Sequence, residues 1–85
     1  MAKKPRFVLD VHLGKLARYL RMLGFDALWR DDYSDPQILE IRKRQRRIVL
    51  TRDRRLLEEH VRKGGYRVEA VYPREQLEEI VRQFR

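Results

Sequence analysis

Short apolar runs alternate along the chain with stretches in which apolar and charged residues are mixed. The predicted strands lie at residues 7–9, 25–29, 48–50 and 66–71, and the first and third of these are apolar throughout. In the segments that follow them, apolar residues recur at spacings of three and four, which is the periodicity of one helix face. The pattern therefore predicts a strand followed by a helix, four times over.

The start of the second predicted helix has two interpretations. Pro36 is a favoured first-turn residue, and Asp35 directly before it is a candidate N-cap. Ser34 with Gln37 three residues later fits a capping box instead. The first helix is simpler, because Gly24 ends it. Its predicted apolar face consists of Leu13, Leu16, Ala17, Leu20 and Leu23.

Glycine and proline mark the limits of the last two predicted helices. The third has Leu56, Leu57 and Val61 on its apolar side, and we expect it to stop at the glycine pair of residues 64–65. The fourth begins at Pro73, a favoured first-turn residue. Its apolar face consists of Leu77, Ile80, Val81 and Phe84.

Strands that alternate with helices form right-handed βαβ units, which build a parallel sheet with helices on both faces. Residues 48–50 are uniformly apolar, as expected for a strand that is buried on both sides. If the sheet places the first and third strands side by side, the strand order reverses there. We therefore expect one α/β domain over residues 1–85, with a small four-stranded, mostly parallel sheet. A homodimer that covers the edge strands is compatible with this architecture.

Positive charge is concentrated in one segment. The net charge is +8, and residues 42–55 alone contain eight basic side chains and one acidic side chain. Such a cluster attracts polyanions, and arginine, which outnumbers lysine here, suits bidentate phosphate contacts. The alternative is a solvated helix face in an arginine-rich protein. We favour nucleic acid as the partner, and the basic segment as its contact surface.

The composition also excludes several classes of protein. The chain has no cysteine and only two histidines, so any metal would be held by oxygen ligands, which favours Mg²⁺ or Mn²⁺. No apolar run approaches the roughly 18–20 residues that span a bilayer, and no signal-peptide pattern follows the basic N-terminus. We therefore expect a cytoplasmic protein without membrane association.

Aspartates are placed where the predicted strands end. Asp10 comes directly after the first strand, and Asp53 follows the third strand by three residues. Asp35 lies at the start of the second helix, and helix starts after βα loops lie at the same edge of the sheet. Ligands of open parallel sheets bind at this edge, at the point where the strand order reverses. We therefore expect the three carboxylates to converge there.

The three aspartates differ in how easily structure alone explains them. For Asp35 and Asp53, a role as helix cap would by itself be a sufficient explanation. Asp10 has no helix-start pattern beside it, and a buried acid is costly there unless it is paired or bound to a metal. Clustered carboxylates repel one another, and a divalent cation removes that repulsion. An acidic centre with a basic rim is what a metal-dependent nuclease requires.

Other chemical motifs are weak. The chain has no glycine-rich phosphate-binding loop. Ser34 and Thr51 have no histidine partner in their sequence context, which argues against nucleophilic hydrolase chemistry. His12 could bind substrate, although a loop or helix-start position without a catalytic role is favoured. Tyr33 lies in the loop that leads to Asp35.

Five segments resemble the Mut7-C RNase domain family, which is classed with the PIN-like nucleases. They are FVLD at 7–10, LGKLARYLRMLG at 13–24, Asp35 ahead of Ile38-Leu39, RIVLTRDR at 47–54 and PREQL at 73–77. The resemblance covers essentially the whole chain in order. It implies a PIN-like α/β fold and metal-dependent RNA cleavage. It matches Asp10, Asp35 and Asp53 with the acidic positions of the family, where they would be both catalytic and metal-binding.

The same resemblance bears on the residues around the acids. Lys15, Arg18 and Arg52 match basic positions near the site, and together with Arg54 we expect them to bind substrate. PIN nucleases often carry a fourth acid, for which the candidates are Glu40 and Asp32. Family members often continue into a cysteine-based zinc ribbon, and we expect a stand-alone form without one.

These observations lead to one main hypothesis and two alternatives. The main hypothesis is a ribonuclease that depends on Mg²⁺ or Mn²⁺ and cleaves phosphodiester bonds at the aspartate cluster. The first alternative is a non-catalytic module that binds RNA or DNA through the basic face. The second is a PIN-type toxin component.

Overall fold

The computed structural model describes residues 4–61 and 63–84. It contains four strands, four α-helices and one 3₁₀ helix, η1, within these residues. In chain order they are β1 (Arg6–Leu9), η1 (Val11–Leu13), α1 (Gly14–Met22), β2 (Asp26–Leu28), α2 (Asp35–Gln45), β3 (Ile48–Thr51), α3 (Arg54–His60), β4 (Gly65–Arg67) and α4 (Pro73–Phe84). The four predicted strand–helix pairs are therefore confirmed.

The strands form one parallel sheet in the order β2-β1-β3-β4. Val8 of β1 lies opposite Leu28 of β2 on one side and Val49 of β3 on the other. Leu50 of β3 lies opposite Tyr66 of β4. The predicted α/β class is confirmed. The condition stated for the reversal of strand order also holds, since β1 and β3 are neighbours.

Side chains that alternate along β1 and β3 supply two hydrophobic cores, one on each face of the sheet. Phe7, Leu9 and Leu50 point to the face covered by α1 and α4. Val8 and Val49 point to the face covered by α2 and α3. All five side chains are fully buried, which explains why the sequences of these central strands are apolar without alternation.

The end of α1 differs from the prediction. Leu23 was expected on the apolar face, but it lies one residue beyond the helix and half of its side chain is exposed. Gly24 follows with a φ of +90°, a conformation that glycine adopts without steric cost. The chain therefore leaves the core at Leu23 and turns towards β2, as the glycine indicated.

The predicted end of α3 is also wrong. The helix stops at His60, with Val61 as its C-cap, before the glycine pair is reached. Gly64 adopts a φ of +83°, and Gly65 is already the first residue of β4. The glycines therefore make the turn into the strand rather than end the helix.

Strand β4 is shorter than the predicted run of residues 66–71, because it ends at Arg67, opposite Thr51, the last residue of β3. Beyond the strand, a carboxylate binds the backbone. Glu79 of α4 accepts hydrogen bonds from the backbone N–H groups of Glu69 (2.9 Å) and Ala70 (2.8 Å). It also accepts one from the Tyr66 hydroxyl at 2.7 Å. Burial alone would raise the pKa of Glu79, but these hydrogen bonds outweigh it and hold the pKa below its ordinary value. Burial and the bond to Glu79 raise the pKa of Tyr66 to about 12.

Arg47 was counted with the basic surface, but it is a core residue with 8% of its side chain exposed. Its guanidinium donates to the carbonyl oxygen of Phe7 at 3.0 Å and pairs with the Asp26 carboxylate at 2.8 Å. Phe7 is the second residue of β1, and Asp26 is the first residue of β2. Arg47 therefore joins the amino ends of three strands, because it directly precedes β3.

No helix within the described ranges is both long and apolar enough to cross a membrane.

Candidate active site at the carboxyl ends of the strands

A pocket of about 180 Å³ opens at the carboxyl edge of the sheet, between η1, α2 and α3. We call it the carboxylate pocket, because Asp10, Asp35 and Asp53 all line it. The other lining residues are Val11, His12, Tyr33, Ile38, Thr51 and Leu56. The three aspartates that the sequence singled out thus lie around one cavity, although each comes from a different βα connection.

Asp10 is the N-cap of η1 and is largely buried. Its Oδ1 accepts a hydrogen bond from the backbone N–H of His12 at 2.9 Å, and its Oδ2 accepts one from the Thr51 hydroxyl. The expectation that no helix starts beside Asp10 is therefore wrong, since a short 3₁₀ helix does. These two hydrogen bonds compensate for the burial of the carboxylate and fix its orientation.

Thr51 links two of the aspartates. It is the last residue of β3, and none of its surface is exposed. Its Oγ1 donates to Asp10 and accepts from the backbone N–H of Asp53 at 3.0 Å. The sequence pattern did not predict this role for Thr51, whose hydroxyl was weighed only as a nucleophile. The available signal was a polar residue at the end of an otherwise apolar, doubly buried strand.

Asp53 is the N-cap of α3, which confirms its interpretation as a helix cap. Its Oδ1 accepts hydrogen bonds from the backbone N–H groups of Arg55 (2.9 Å) and Leu56 (3.2 Å). In the described part of the chain, its Oδ2 has no hydrogen-bonding partner. One oxygen therefore serves the helix, and the other is available to a ligand in the pocket.

Asp35 does not cap α2, so that interpretation is wrong. Ser34 is the N-cap, and it forms a complete capping box with Gln37. Asp35 occupies the first turn instead, where the positive end of the helix dipole stabilises a carboxylate. It is exposed, and no hydrogen bond or ion pair joins it to another described residue. Of the three aspartates, it is the one whose carboxylate is held by no other described residue.

The predicted basic residues take up different positions. Lys15 lines a second pocket on the other side of η1, and Arg18 is exposed on α1 outside both pockets. The guanidinium of Arg52 donates to the carbonyl oxygen of Val68 at 3.3 Å, which directs it towards the segment after β4. Arg54 begins α3 and is exposed.

Much of the basic segment lies far from the carboxylate pocket, so the idea that all of residues 42–55 form its rim is wrong. Helix α2 starts at the carboxyl edge of the sheet and runs back to the amino edge. Its last turn contains Arg42, Lys43 and Arg44. At 1.5 Å per residue, this turn lies more than about 10 Å along the helix from Asp35. Within the segment, the three arginines that follow β3 lie at the carboxyl edge.

Neither candidate for a fourth acid lines the carboxylate pocket. Glu40 pairs with Arg44 at 2.8 Å on the exposed side of α2. Asp32 pairs with Arg30 at 3.0 Å in the loop before α2. Both pairs are largely solvated, and such pairs contribute little to stability.

The donors in the carboxylate pocket fit a hard divalent cation in their chemistry, because they are carboxylate and hydroxyl oxygens. Among residues 4–61 and 63–84, however, no three histidine or acidic side chains are arranged so that they could hold one ion together. Mg²⁺ is commonly held by one or two carboxylates, with water and substrate phosphate completing the shell. The pocket fits that mode of binding.

Comparison with known proteins agrees with the resemblance that the sequence suggested. The model of the Mut7-C RNAse domain, which describes a nuclease-type family, matches residues 5–85. No curated protein and no solved structure matches the chain significantly. Because the family model covers nearly all of the sequence, this chain belongs to the Mut7-C RNAse domain family.

Proposed function

We propose that this protein is a ribonuclease that depends on Mg²⁺ or Mn²⁺ and cleaves phosphodiester bonds in the carboxylate pocket. The observation that carries the proposal is the convergence of Asp10, Asp35 and Asp53 on one cavity at the carboxyl edge of the sheet. Membership of an RNase-type family supports the same reaction. The net charge of +8 supports a polyanionic substrate.

Asp10 and Asp53 are the residues that would hold the ion directly. The Thr51 hydroxyl connects the carboxylate of Asp10 with the backbone of Asp53, so the two positions are fixed relative to each other. Each oxygen of Asp10 accepts one hydrogen bond and retains a further lone pair. The free Oδ2 of Asp53 adds a second ligand. Asp35 would reach the ion through water.

A divalent ion in this pocket would make a water molecule more acidic and stabilise the charge that develops on the phosphate. The protein positions the remaining groups. Asp35, which is exposed at the start of α2, orients the attacking water and accepts its proton on a carboxylate oxygen. Arg54 at the start of α3 and Lys15 on α1 contact the flanking phosphates, together with Arg18 and Arg52.

A non-catalytic RNA- or DNA-binding module is the second candidate, and one observation favours it. Asp10 and Asp53 both cap helices, so two of the three acids have a structural role without any metal. In that case, binding would be salt-sensitive, without turnover, and no Mn²⁺ would bind to the carboxylate pocket.

The decisive assay is cleavage of a fluorescently labelled single-stranded RNA with Mg²⁺, with Mn²⁺ and with EDTA. We expect cleavage that requires the ion and falls by about 100-fold or more in Asp10→Asn, Asp35→Asn and Asp53→Asn. Glu58→Gln is the matched control, because it makes the same change of a carboxylate to an amide at an exposed position on α3. Circular dichroism establishes that each variant is folded.

Two results would overturn the nuclease proposal. Cleavage that continues in EDTA would exclude the ion, and Asp10→Asn with the activity of Glu58→Gln would exclude the carboxylate pocket. Tight, salt-sensitive RNA binding without cleavage under any condition would establish the binding module instead. The same assay on single-stranded DNA of equal length tests whether RNA is the preferred substrate.

A further inference from the structure

A second pocket, of about 320 Å³, lies beside the carboxylate pocket on the α1 and α4 face of the sheet. We call it the indole pocket, because Trp29 forms part of its wall. Val11, His12, Gly14, Lys15, Val71 and Gln76 also line it. Val11 and His12 line both cavities, so η1 is a thin wall between them.

The indole of Trp29 is held firmly in this wall. Its Nε1–H donates to the carbonyl oxygen of Val11 at 3.2 Å. Its six-membered ring lies against Gly14, where an added Cβ would come within 2.8 Å of Cζ2. Glycine at this position therefore permits a close contact that a larger residue would prevent. The result is a preorganised aromatic surface next to the carboxylate pocket.

Gln76 gives the indole pocket a polar group of fixed orientation. It is 4% exposed, and its Nε2 donates to the carbonyl oxygens of Ala70 (3.0 Å) and Val71 (3.2 Å). Both partners are carbonyl oxygens, which only accept hydrogen bonds, so the NH₂ group of the amide and not its oxygen must face them. Its Oε1 accepts no hydrogen bond from any other residue in the described ranges. A buried amide is thus oriented with one acceptor left for a ligand.

The indole pocket also carries positive charge. The charge comes from Lys15, which is exposed at its rim. A volume of about 320 Å³ lies within the range of small-ligand sites, which is about 300–1,000 Å³. An aromatic wall, one fixed acceptor and a cation together match a nucleobase with its attached phosphate, since bases stack on aromatic rings and carry N–H donors.

We propose that the indole pocket binds the nucleobase of the nucleotide next to the phosphate held in the carboxylate pocket. The adjacency of the two ligands rests on the proposed function, whereas binding of the base itself does not. A base can enter only if it is unstacked and unpaired. The substrate class is therefore single-stranded nucleic acid. The pocket would prefer particular bases at the one nucleotide beside the cleavage position.

The test uses the indole N–H of Trp29 as a probe, because Trp29 is the only tryptophan of the chain. It gives a single side-chain cross-peak in ¹H–¹⁵N spectra, which reports directly on this pocket. The full chain is titrated in EDTA with each of the four ribonucleoside 5′-monophosphates, and with ribose 5-phosphate as the matched ligand without a base. We expect a saturable shift with at least one nucleotide and none with ribose 5-phosphate.

A pair of variants locates the effect. Val71→Glu places a carboxylate at the exposed edge of the indole pocket, where it repels the nucleotide phosphate, and should weaken nucleotide binding by about tenfold or more. Met22→Glu introduces the same charge at an exposed position on α1 outside the pocket, and should bind as the parent does. Equal shifts with ribose 5-phosphate, no shift with any nucleotide, or equal binding by the two variants would each overturn the proposal.

The outcome can be separated from that of the nuclease proposal, because no metal is present in the titration. A nucleotide shift in a protein that never cleaves RNA would support the indole pocket and refute the nuclease. Metal-dependent cleavage without any nucleotide shift would refute the indole pocket and leave the nuclease intact.

Discussion

Replacing Thr51 with valine removes one hydroxyl group from the wall of the carboxylate pocket and leaves the shape of the side chain almost unchanged. That hydroxyl donates to the Asp10 carboxylate and accepts from the backbone N–H of Asp53. Thr51 has no exposed surface, so water cannot replace the hydroxyl at its own position. The substitution therefore leaves a buried acceptor and a partly buried donor without their partner.

The expected loss of stability follows from these two hydrogen bonds. A typical bond contributes about 0.5–1.5 kcal/mol, and an unsatisfied buried group costs about 1–3 kcal/mol. Because Asp10 and Asp53 lie at the edge of a pocket, water can reach them in part. We therefore expect the free energy of unfolding to fall by about 2–3 kcal/mol. For a domain of this size, that corresponds to a Tm lower by roughly 10–20 °C.

The measurement is urea and thermal unfolding of Thr51→Val beside Thr51→Ser. The serine variant keeps the hydroxyl and loses one buried methyl group, which costs about 1 kcal/mol. Thr51→Val should therefore be the less stable variant, although it is the closer one in shape. It should also be the less active in RNA cleavage, since Asp10 is no longer held. Equal or greater stability of Thr51→Val would refute the role assigned to the hydroxyl.

Three further predictions concern polar groups away from the pocket. Arg47→Met should lower the free energy of unfolding in urea by about 2–3 kcal/mol, because the arginine is buried. Asp26→Asn should lower it by less than about 1 kcal/mol, because Asp26 is half exposed. Equal losses in the two variants would contradict this asymmetry. Because folding lowers the pKa of Glu79, its contribution to stability is complete above its ordinary pKa and is lost as the pH falls through the folded value. In Glu79→Gln, the free energy of unfolding should therefore depend less on pH in the acidic range. Because folding raises the pKa of Tyr66 to about 12, its contribution is complete below its ordinary pKa of 10.0 and is lost as the pH rises towards 12. An absorbance titration at 295 nm should lose its latest step in Tyr66→Phe, and retention of that step would assign it to another tyrosine.

The periodicity of apolar residues was sufficient to predict the framework of the fold. The continuous apolar run of β3 indicated a strand buried on both faces, and the two separate cores confirm this. The same topology also determines where charges lie. A helix that returns from the carboxyl edge must end at the amino edge, so the position of Arg42 could have been predicted from the βαβ rule.

Contacts between distant parts of the sequence could not be predicted in this way. Thr51 and Asp10 are 41 residues apart, and no local pattern connects them. The segment after β4 is held by Glu79, on a later helix, which accepts hydrogen bonds from the backbone of Glu69 and Ala70. The burial of Arg47 depends in the same way on Phe7, 40 residues away. The roles of polar and charged residues with partners far away in the sequence therefore could not be predicted.

The direction of α2 has a consequence for how ionic strength should act on this protein. Asp35 at its start lines the carboxylate pocket, whereas Arg42, Lys43 and Arg44 lie in its last turn. A nucleic acid short enough to fill only the pocket cannot contact those three cations. A longer strand that reaches them releases additional counterions, which steepens the dependence of its affinity on salt. Under the proposed function, affinity for long strands and turnover of short ones would thus be governed by charges at opposite ends of the same helix.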